Sequence, residues 1–591
     1  MRRISAISIV LLCCSCSVQM QSTEDLTFDD SFRALARSYL DRSTALSPVY
    51  ATNLGDHRFD GELDEVGVEA RARTASFCRD YLERLEKLPR GKLSPANQID
   101  AALLEHDLRK TLWRLEVLQE WAWNPLGYTD LCGRAIYSLM ARDFAPISKR
   151  LSSTADRLEK LPRLLEQVRG SLVAKRVPKI HAETAVKQNK GVLSILDNMV
   201  VPHLDQLGKA ERGRLEAAMK IARAAVDRHQ EWLEKDVLPQ AAGDFRIGPE
   251  LFDRKLAFTL NSPLSRAEIR KRAESELKRV REQMYEISKG VHLKKHPEHE
   301  FPAQPDEAHK QETIQGALEL AYADKPARDA VVKTARESLV EIEAFVRKRD
   351  LITIPDDPIE IIIMPEFERG VSVAYCDSPG ALDVGQKTFY AVAPLPGDWT
   401  DKQVDSFLRE YNRRSIHNLS VHEAIPGHFL QLAHSNRYPS LLRAVLSSGV
   451  FIEGWAVYTE QMLADEGYMN YDPLMKLITL KWYLRGIANA IIDQAIHAGG
   501  MSEEEAMRLM TVTTFQEERE AAGKWIRAQL TSTQLSTYFV GYQEHRDLRQ
   551  EVEKIRGDGF SLKKYHDQVI SYGSPPVRFV RSLLLDLPVE P

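Results

Sequence analysis

Helix-type signals dominate the hydrophobic and polar pattern of this chain. Two of them are capping boxes. Ser265-Arg-Ala-Glu268 opens a long charged run that the pattern ends at Gly290, and Ser502-Glu-Glu-Glu505 opens another helix in the same way. Two short runs rich in β-branched and aromatic residues stand out instead as strands, Ile359–Met364 and Thr388–Val392, with turn residues Ser378-Pro-Gly380 and Gly385 between them. The pattern predicts a mainly α, large multi-helical body with a small antiparallel β-sheet inserted at about residues 355–395. No low-complexity linker and no fixed-period repeat cuts the chain. We expect an N-terminal helical half over 17–240 and a C-terminal half over 241–591, together one compact unit.

The N-terminus sets the expected compartment. Arg2 and Arg3 precede an apolar stretch from Ile4 to Leu12, followed by Cys13-Cys14-Ser15-Cys16. This reads as a signal peptide over residues 1–16 ending in a lipoprotein-type cysteine, with Cys16 the favoured lipidation site and Cys14 the alternative. A simple cleaved secretory peptide is the other reading. The apolar run is too short to span a bilayer as a mature helix. The expectation is an exported lipoprotein anchored to a bacterial membrane and facing the periplasm or the cell exterior.

Charge and cysteines narrow the field further. Lys and Arg number 80 against 85 Asp and Glu, a net charge of −5; loss of residues 1–15 removes two arginines and no acid, leaving −7. Such a mildly acidic surface has nothing to recruit nucleic acid. Past the leader only Cys78, Cys132 and Cys376 remain. That is no disulfide framework, so stability must come from a large core, and the three read as buried small apolar residues.

The chemistry-bearing string is Val421-His-Glu-Ala-Ile-Pro-Gly-His428-Phe-Leu-Gln431. In HExxH zinc peptidases two histidines one helical turn apart face one Zn²⁺, and the Glu between them holds the attacking water. Here the histidines are six positions apart, which on a regular helix of about 100° per residue turns them roughly 120° away from each other. Pro426 removes a backbone donor and Gly427 tolerates unusual dihedrals, so the pair is placed to bend the chain and swing His428 back. A third ligand is expected from Val450-Phe-Ile-Glu453-Gly-Trp-Ala-Val-Tyr-Thr-Glu460, where Glu453 sits in an apolar, helix-compatible run in which a lone carboxylate is costly. Glu460, seven positions on and on the same face, is read as a surface or salt-bridged acid, or as a group orienting a histidine.

HEAIPGHFLQ, FIEGWAVYTEQ, LRGIANAIIDQAIHAGGMSEEEAM, QLSTYFVGYQEHRDLR and FSLKKYHDQVISYGSPPV resemble the bacterial domain-of-unknown-function 885 family, most strongly from about Leu351 to the end. That family is in turn similar to helical gluzincin zinc peptidases such as angiotensin-converting enzyme and carboxypeptidase Taq. The resemblance implies a zincin-like body holding Zn²⁺ by two His and a downstream Glu, with Phe-Ile-Glu453-Gly similar to the stretch carrying the third ligand. It implies further that Tyr538-Phe-Val is similar to the stretch whose tyrosine stabilises the oxyanion. The converting enzyme also has a histidine just upstream of that tyrosine; this chain has none between His497 and Tyr538. Helical gluzincins enclose a deep channel, which favours oligopeptides as substrates, and the strands before the motif are expected either to bind an extended peptide backbone or to form a structural hairpin.

The reading is thus a zinc metallopeptidase in which His422, His428 and Glu453 hold the metal, Glu423 is the base and Tyr538 serves the oxyanion, with Tyr542 as its alternative. Two other functions fit the sequence: a lipid-anchored binding or scaffold protein with a decayed zincin site, which the odd histidine spacing favours, and a zinc amidase or esterase acting on a non-peptide. Several features are set aside. His292, His296, His299 and His309 lie in a Pro-, Lys- and Glu-rich stretch that reads as a solvated loop. His417 is an alternative to His428 with nothing nearby to bend the chain, and Arg485, Asp493 and His497 read as a buried polar network or a substrate contact.

Overall fold

The computed structural model describes residues 27–365 and 373–590. The expected signal peptide, with Cys14 and Cys16, lies outside the described residues. Helices dominate, and a three-stranded sheet precedes the HEAIPGH string in the chain. No described helix is long and apolar enough to cross a membrane.

The residues N-terminal to about 240 pack into several clusters, one of them built on the long helices Ile147–Ser171 and Lys209–Trp232. Most of the remainder shares one large core that runs from Phe252 to Leu584, and a second, smaller cluster holds Ile492, Ile496 and Trp525. The capping boxes at Ser265 and Ser502 both form, the first opening the helix Arg266–Lys295 and the second the short helix Glu503–Arg508. The first helix passes through Gly290 without stopping. Val291 beyond it is buried, so packing outweighs the modest cost of one internal glycine.

The sheet is mixed rather than antiparallel. Strands β1 (Ile359–Ile363) and β3 (Thr388–Val392) are the two the sequence predicts, and they run parallel, Ile359 opposite Thr388. Parallel neighbours need a crossover, and the returning chain supplies a third strand, β2 (Ala374–Asp377), antiparallel to β3 with Ala374 opposite Val392. Four residues reading Ala-Tyr-Cys-Asp are too short and too mixed to signal a strand. The order β1-β3-β2 leaves β2 at an edge.

Hydrogen bonds tie the sheet to the helix that carries His422. Tyr390 Oη on β3 lies 3.2 Å from Ser420 Oγ, which also accepts from Ser338 Oγ at 2.7 Å. Ser420 belongs to the helix Arg413–Glu423, opened by the Asn412 side chain, which accepts from the N–H of Ser415. From the other half, Tyr137 Oη (3.0 Å) and Arg142 Nη2 (2.9 Å) both reach Asp377 at the end of β2.

Candidate metal centre

The helix Arg413–Glu423 ends at Glu423, because Ala424 leaves helical dihedrals (φ −122°, ψ −91°), and a new helix, His428–Ser435, starts after Gly427. The break is closely packed. Gly427 N–H donates to Val421 O at 3.0 Å, and the Trp455 indole N–H donates to Pro426 O at 2.8 Å. A side chain on Gly427 would run into the carbonyl oxygens of Val421 and His422, so only glycine lets the chain turn this sharply. The turn carries His428 back to His422: their rings lie 4.6 Å apart at 82°.

Glu453 completes the group from the helix Gly449–Asp465. Its Oε2 is 3.5 Å from His422 Nε2 and 3.6 Å from His428 Nε2, and all three candidate donor atoms lie within 4.8 Å of one another. Glu453 Oε2 is buried yet accepts no hydrogen bond. Such a separation exceeds a normal hydrogen bond but matches the edge of a tetrahedron with bonds of about 2.0–2.1 Å, roughly 3.4 Å. Two imidazoles and a carboxylate so disposed fit a divalent ion of borderline softness such as Zn²⁺. Among the described residues no other set of three or more His, Cys, Asp or Glu donors is close enough to do so.

Electrostatics agree with that geometry. Burial disfavours a charged His422, but the Glu453 and Glu460 carboxylates overcome it and hold its pKa well above the ordinary value. Burial likewise opposes ionisation of Glu453, and the two histidines outweigh it, keeping the carboxyl well below the usual range. Both shifts share one source, the close approach of the imidazoles to the Glu453 carboxylate. Glu423 differs. It is 7% exposed, burial pushes its pKa up, and the flanking histidines and a backbone hydrogen bond from Cys376 only partly offset this. A carboxyl tuned upward beside a cation site suits proton transfer.

The surrounding residues fix the donors. Glu460, 3% exposed, takes His422 Nδ1 at 2.7 Å and Asn418 Nδ2 at 2.6 Å; Thr479 Oγ1 in turn donates to Asn418 Oδ1 at 3.1 Å. This leaves His422 Nε2 facing Glu453. Of the two roles the sequence allows Glu460, orienting a histidine is the one its position matches.

Tyr538 stands across the site on the helix Ser536–Arg556, its ring 6.5 Å from that of His422. That helix crosses the Glu453 helix with Gly541 against Gly454, so tightly that a Cβ on either would strike the other backbone. Arg527 Nη2 donates to Tyr538 Oη at 3.1 Å, and Gln534 Nε2 does so at 3.4 Å. With both neighbours donating to the phenol oxygen, its own proton is free to point into the site. Arg527 lies where the sequence offers no histidine, and no motif reveals it. Tyr542 is elsewhere: it packs on Tyr483 with ring centroids 4.4 Å apart inside the core, and burial lifts its pKa to about 12.

The remaining candidates sort clearly. His417 bonds Tyr468 Oη at 2.7 Å and is not in the metal-donor set. Asp493 and His497 are buried in polar contacts: Asp493 accepts from the N–H groups of Thr533 and Ser536, and His497 Nε2 lies 2.8 Å from the carbonyls of Ala528 and Thr531. Arg485 pairs with Glu410 and Glu520. The rings of His296, His299 and Phe301 gather around His292, and His309 packs on Phe301, without forming a metal-donor set. Cys78 and Cys132 are buried thiols, whereas Cys376 is half-buried, with its Sγ 3.5 Å from Ser378 Oγ and its backbone serving Glu423.

The model of a family described as a bacterial protein of unknown function (DUF885) matches residues 48–584. No curated protein matches the chain. A solved structure of a candidate lipoprotein of unknown function from Shewanella oneidensis is 32% identical with a TM-score of 0.78, covering 94% of this chain and 99% of its own. A candidate lipoprotein from Colwellia psychrerythraea, 16% identical, has a TM-score of 0.77 over 95% of this chain and 99% of its own, a likeness of fold alone.

Proposed function

The chain belongs to the bacterial DUF885 family, and from that premise we propose that it is an exported zinc-dependent peptidase that hydrolyses amide bonds in oligopeptides. One observation carries the reading: Glu453 Oε2, buried and without a hydrogen bond, sits between the Nε2 atoms of His422 and His428, with Glu423 next to His422 in sequence. His428 turned away from His422 would have favoured the reading of a decayed site; its ring instead lies edge-on to that of His422, with centroids 4.6 Å apart.

His422, His428 and Glu453 would hold the zinc, which would supply Lewis acidity and lower the pKa of water at the site from about 15.7 toward 7. Glu423, held by the Cys376 N–H and with its pKa pushed up, takes the proton from the attacking water and returns it to the leaving amine. Tyr538 donates a hydrogen bond from its hydroxyl to the developing oxyanion and keeps its proton, and Arg527 behind it strengthens that donor. β2, an edge strand beside Glu423, suits an extended peptide backbone. The relatives described as candidate lipoproteins support a lipid anchor at Cys16 or Cys14, and so contact with a bacterial membrane.

The test is Glu423→Gln. Metal content by plasma mass spectrometry should stay at about one zinc per chain while peptide hydrolysis falls by about 10²-fold or more. An unchanged rate would overturn the assignment of the base, and a parent without zinc after reconstitution would overturn the function.

A further inference from the structure

Away from the metal centre, the helix Arg266–Lys295 ends in a cluster of imidazoles that the proposed reaction does not use. His292 stands in its last turn and His296 is the cap residue four positions on, so the two side chains leave neighbouring points of one face, with ring centroids 4.9 Å apart. Pro297 then stops the helix and opens a tight turn, His296-Pro-Glu-His299, closed by the His299 N–H donating to His296 O at 3.1 Å. The turn folds the chain back. It brings the His299 ring to 4.5 Å from that of His292. Both separations are those of the catalytic pair, His422 and His428, whose rings lie 4.6 Å apart.

Packing accounts for part of this gathering. His299 and His292 rest on Phe301 with centroids 4.6 Å and 5.5 Å away, whereas His296 is exposed and makes no contact with that ring. Among the described residues none of the three imidazoles has a hydrogen-bond partner, and the one carboxylate nearby is Glu298, its Oε1 4.0 Å from His296 Nδ1. Partial desolvation, and then the neighbouring His299 and His296, push the His292 pKa below its ordinary value and favour the neutral ring, the form that ligates metals.

We propose that His292, His296 and His299 form a second metal site, at the surface, which takes a divalent transition-metal ion of borderline softness, Cu²⁺ in preference to Zn²⁺. As placed, the three donors are too spread to share an ion. His296 and His299 are exposed and free to turn, so closing the set costs only side-chain freedom. No carboxylate orients these rings as Glu460 orients His422, so the site binds more weakly than the catalytic one and releases its ion on desalting. It therefore adds nothing to the one zinc per chain expected above, and it stands whether or not the peptidase reading does.

The experiment is calorimetric titration with CuCl₂, and separately with ZnCl₂, of the full mature chain, loaded with zinc, desalted and carrying no polyhistidine tag. The blank is the same chain with His292→Gln, His296→Gln and His299→Gln together. The parent should take up one Cu²⁺ per chain more than the blank, with Zn²⁺ bound at the same site at least about tenfold more weakly. Each single substitution should weaken Cu²⁺ at least about tenfold, while His203→Gln, on another helix, should leave it unchanged. The three positions lie at the surface, so circular dichroism should show parental helical content in every variant. Equal uptake by parent and blank up to about 100 μM Cu²⁺ would overturn the site. Unchanged affinity in any one of the three single variants would overturn the three-histidine set.

Discussion

Glu460 Oε1 lies 2.7 Å from His422 Nδ1 on the side opposite Glu453. A carboxylate there fixes which imidazole nitrogen carries the proton and makes the other a better donor. Glu460→Gln should weaken zinc binding about tenfold and Glu460→Ala about 100-fold, read by competition with a chromophoric chelator. An Ala variant that binds zinc like the parent would remove Glu460 from the site.

Gly427 allows the turn that joins the two histidines. A methyl group there has nowhere to go, so Gly427→Ala should lose zinc stoichiometrically while keeping helical content by circular dichroism. Gly127, in the helix Leu126–Met140 with open space around it, is the control: Gly127→Ala should keep zinc and gain about 0.5–1 kcal/mol of stability. Full metal content in Gly427→Ala would show that the turn relaxes more easily than its packing implies.

The helical class, the strands β1 and β3 and the grouping of His422, His428 and Glu453 were legible in the sequence, because each carries a local signal: a capping box, a β-branched run, a His-Glu string with Pro-Gly beside it, an acid in an apolar stretch; Tyr538 carries none and is suggested only by the family resemblance. What the sequence did not reveal depends on chain segments far apart. β2 becomes a strand by pairing antiparallel with β3, and the parallel pairing of β1 with β3 depends on the crossover between them. Arg527 lies on an amphipathic helix whose spacing is ordinary until Tyr538 is seen against it. Asn418 and Thr479 look like ordinary polar residues, yet they complete the chain of hydrogen bonds that ends on His422.

The distance between Glu453 and Tyr538 is set by the crossing of Gly454 and Gly541. Gly541→Ala would press a methyl group into the Val450 carbonyl and the Gly454 backbone. The helices must part, at a cost of about 2 kcal/mol or more in urea unfolding, and turnover should fall because Tyr538 moves away from the metal ligands. A variant with parental stability would show that this contact is not tight.

Asp493 caps the Tyr538 helix from outside it. Leu535 at the cap position has no side-chain acceptor, and the Asp493 carboxylate instead takes Thr533 N–H (2.9 Å), Ser536 N–H (3.1 Å) and Ser536 Oγ (2.9 Å). Asp493→Ala strands two buried N–H groups and should cost about 2–5 kcal/mol, with kcat falling about tenfold through loss of Tyr538 placement. Zinc content should not change, since no metal ligand touches Asp493. Loss of zinc in this variant would point to a wider collapse than uncapping.

His57 links the first half of the chain to the segment between β2 and β3. Its ring stacks on Phe144 at 3.7 Å, Nδ1 lies 3.2 Å from Asp60 and Nε2 lies 3.5 Å from Asp383, while Leu382 N–H donates to Leu54 O at 2.8 Å. Burial pulls the imidazole pKa down, but the carboxylates of Asp383 and Asp60 more than offset this and lift it to about 9, against 6.5 for an unperturbed group. The folded state thus holds a proton that the unfolded chain releases earlier. The stability this adds is fully present below pH 6.5 and is lost as pH rises through about 9. Urea unfolding of the parent and of His57→Gln should differ most at pH 6, with the gap closing by about pH 10. Taking the difference cancels groups common to both proteins. A gap that stays constant from pH 6 to 10 would mean that His57 contributes by stacking on Phe144 alone, with no charge held between the two aspartates.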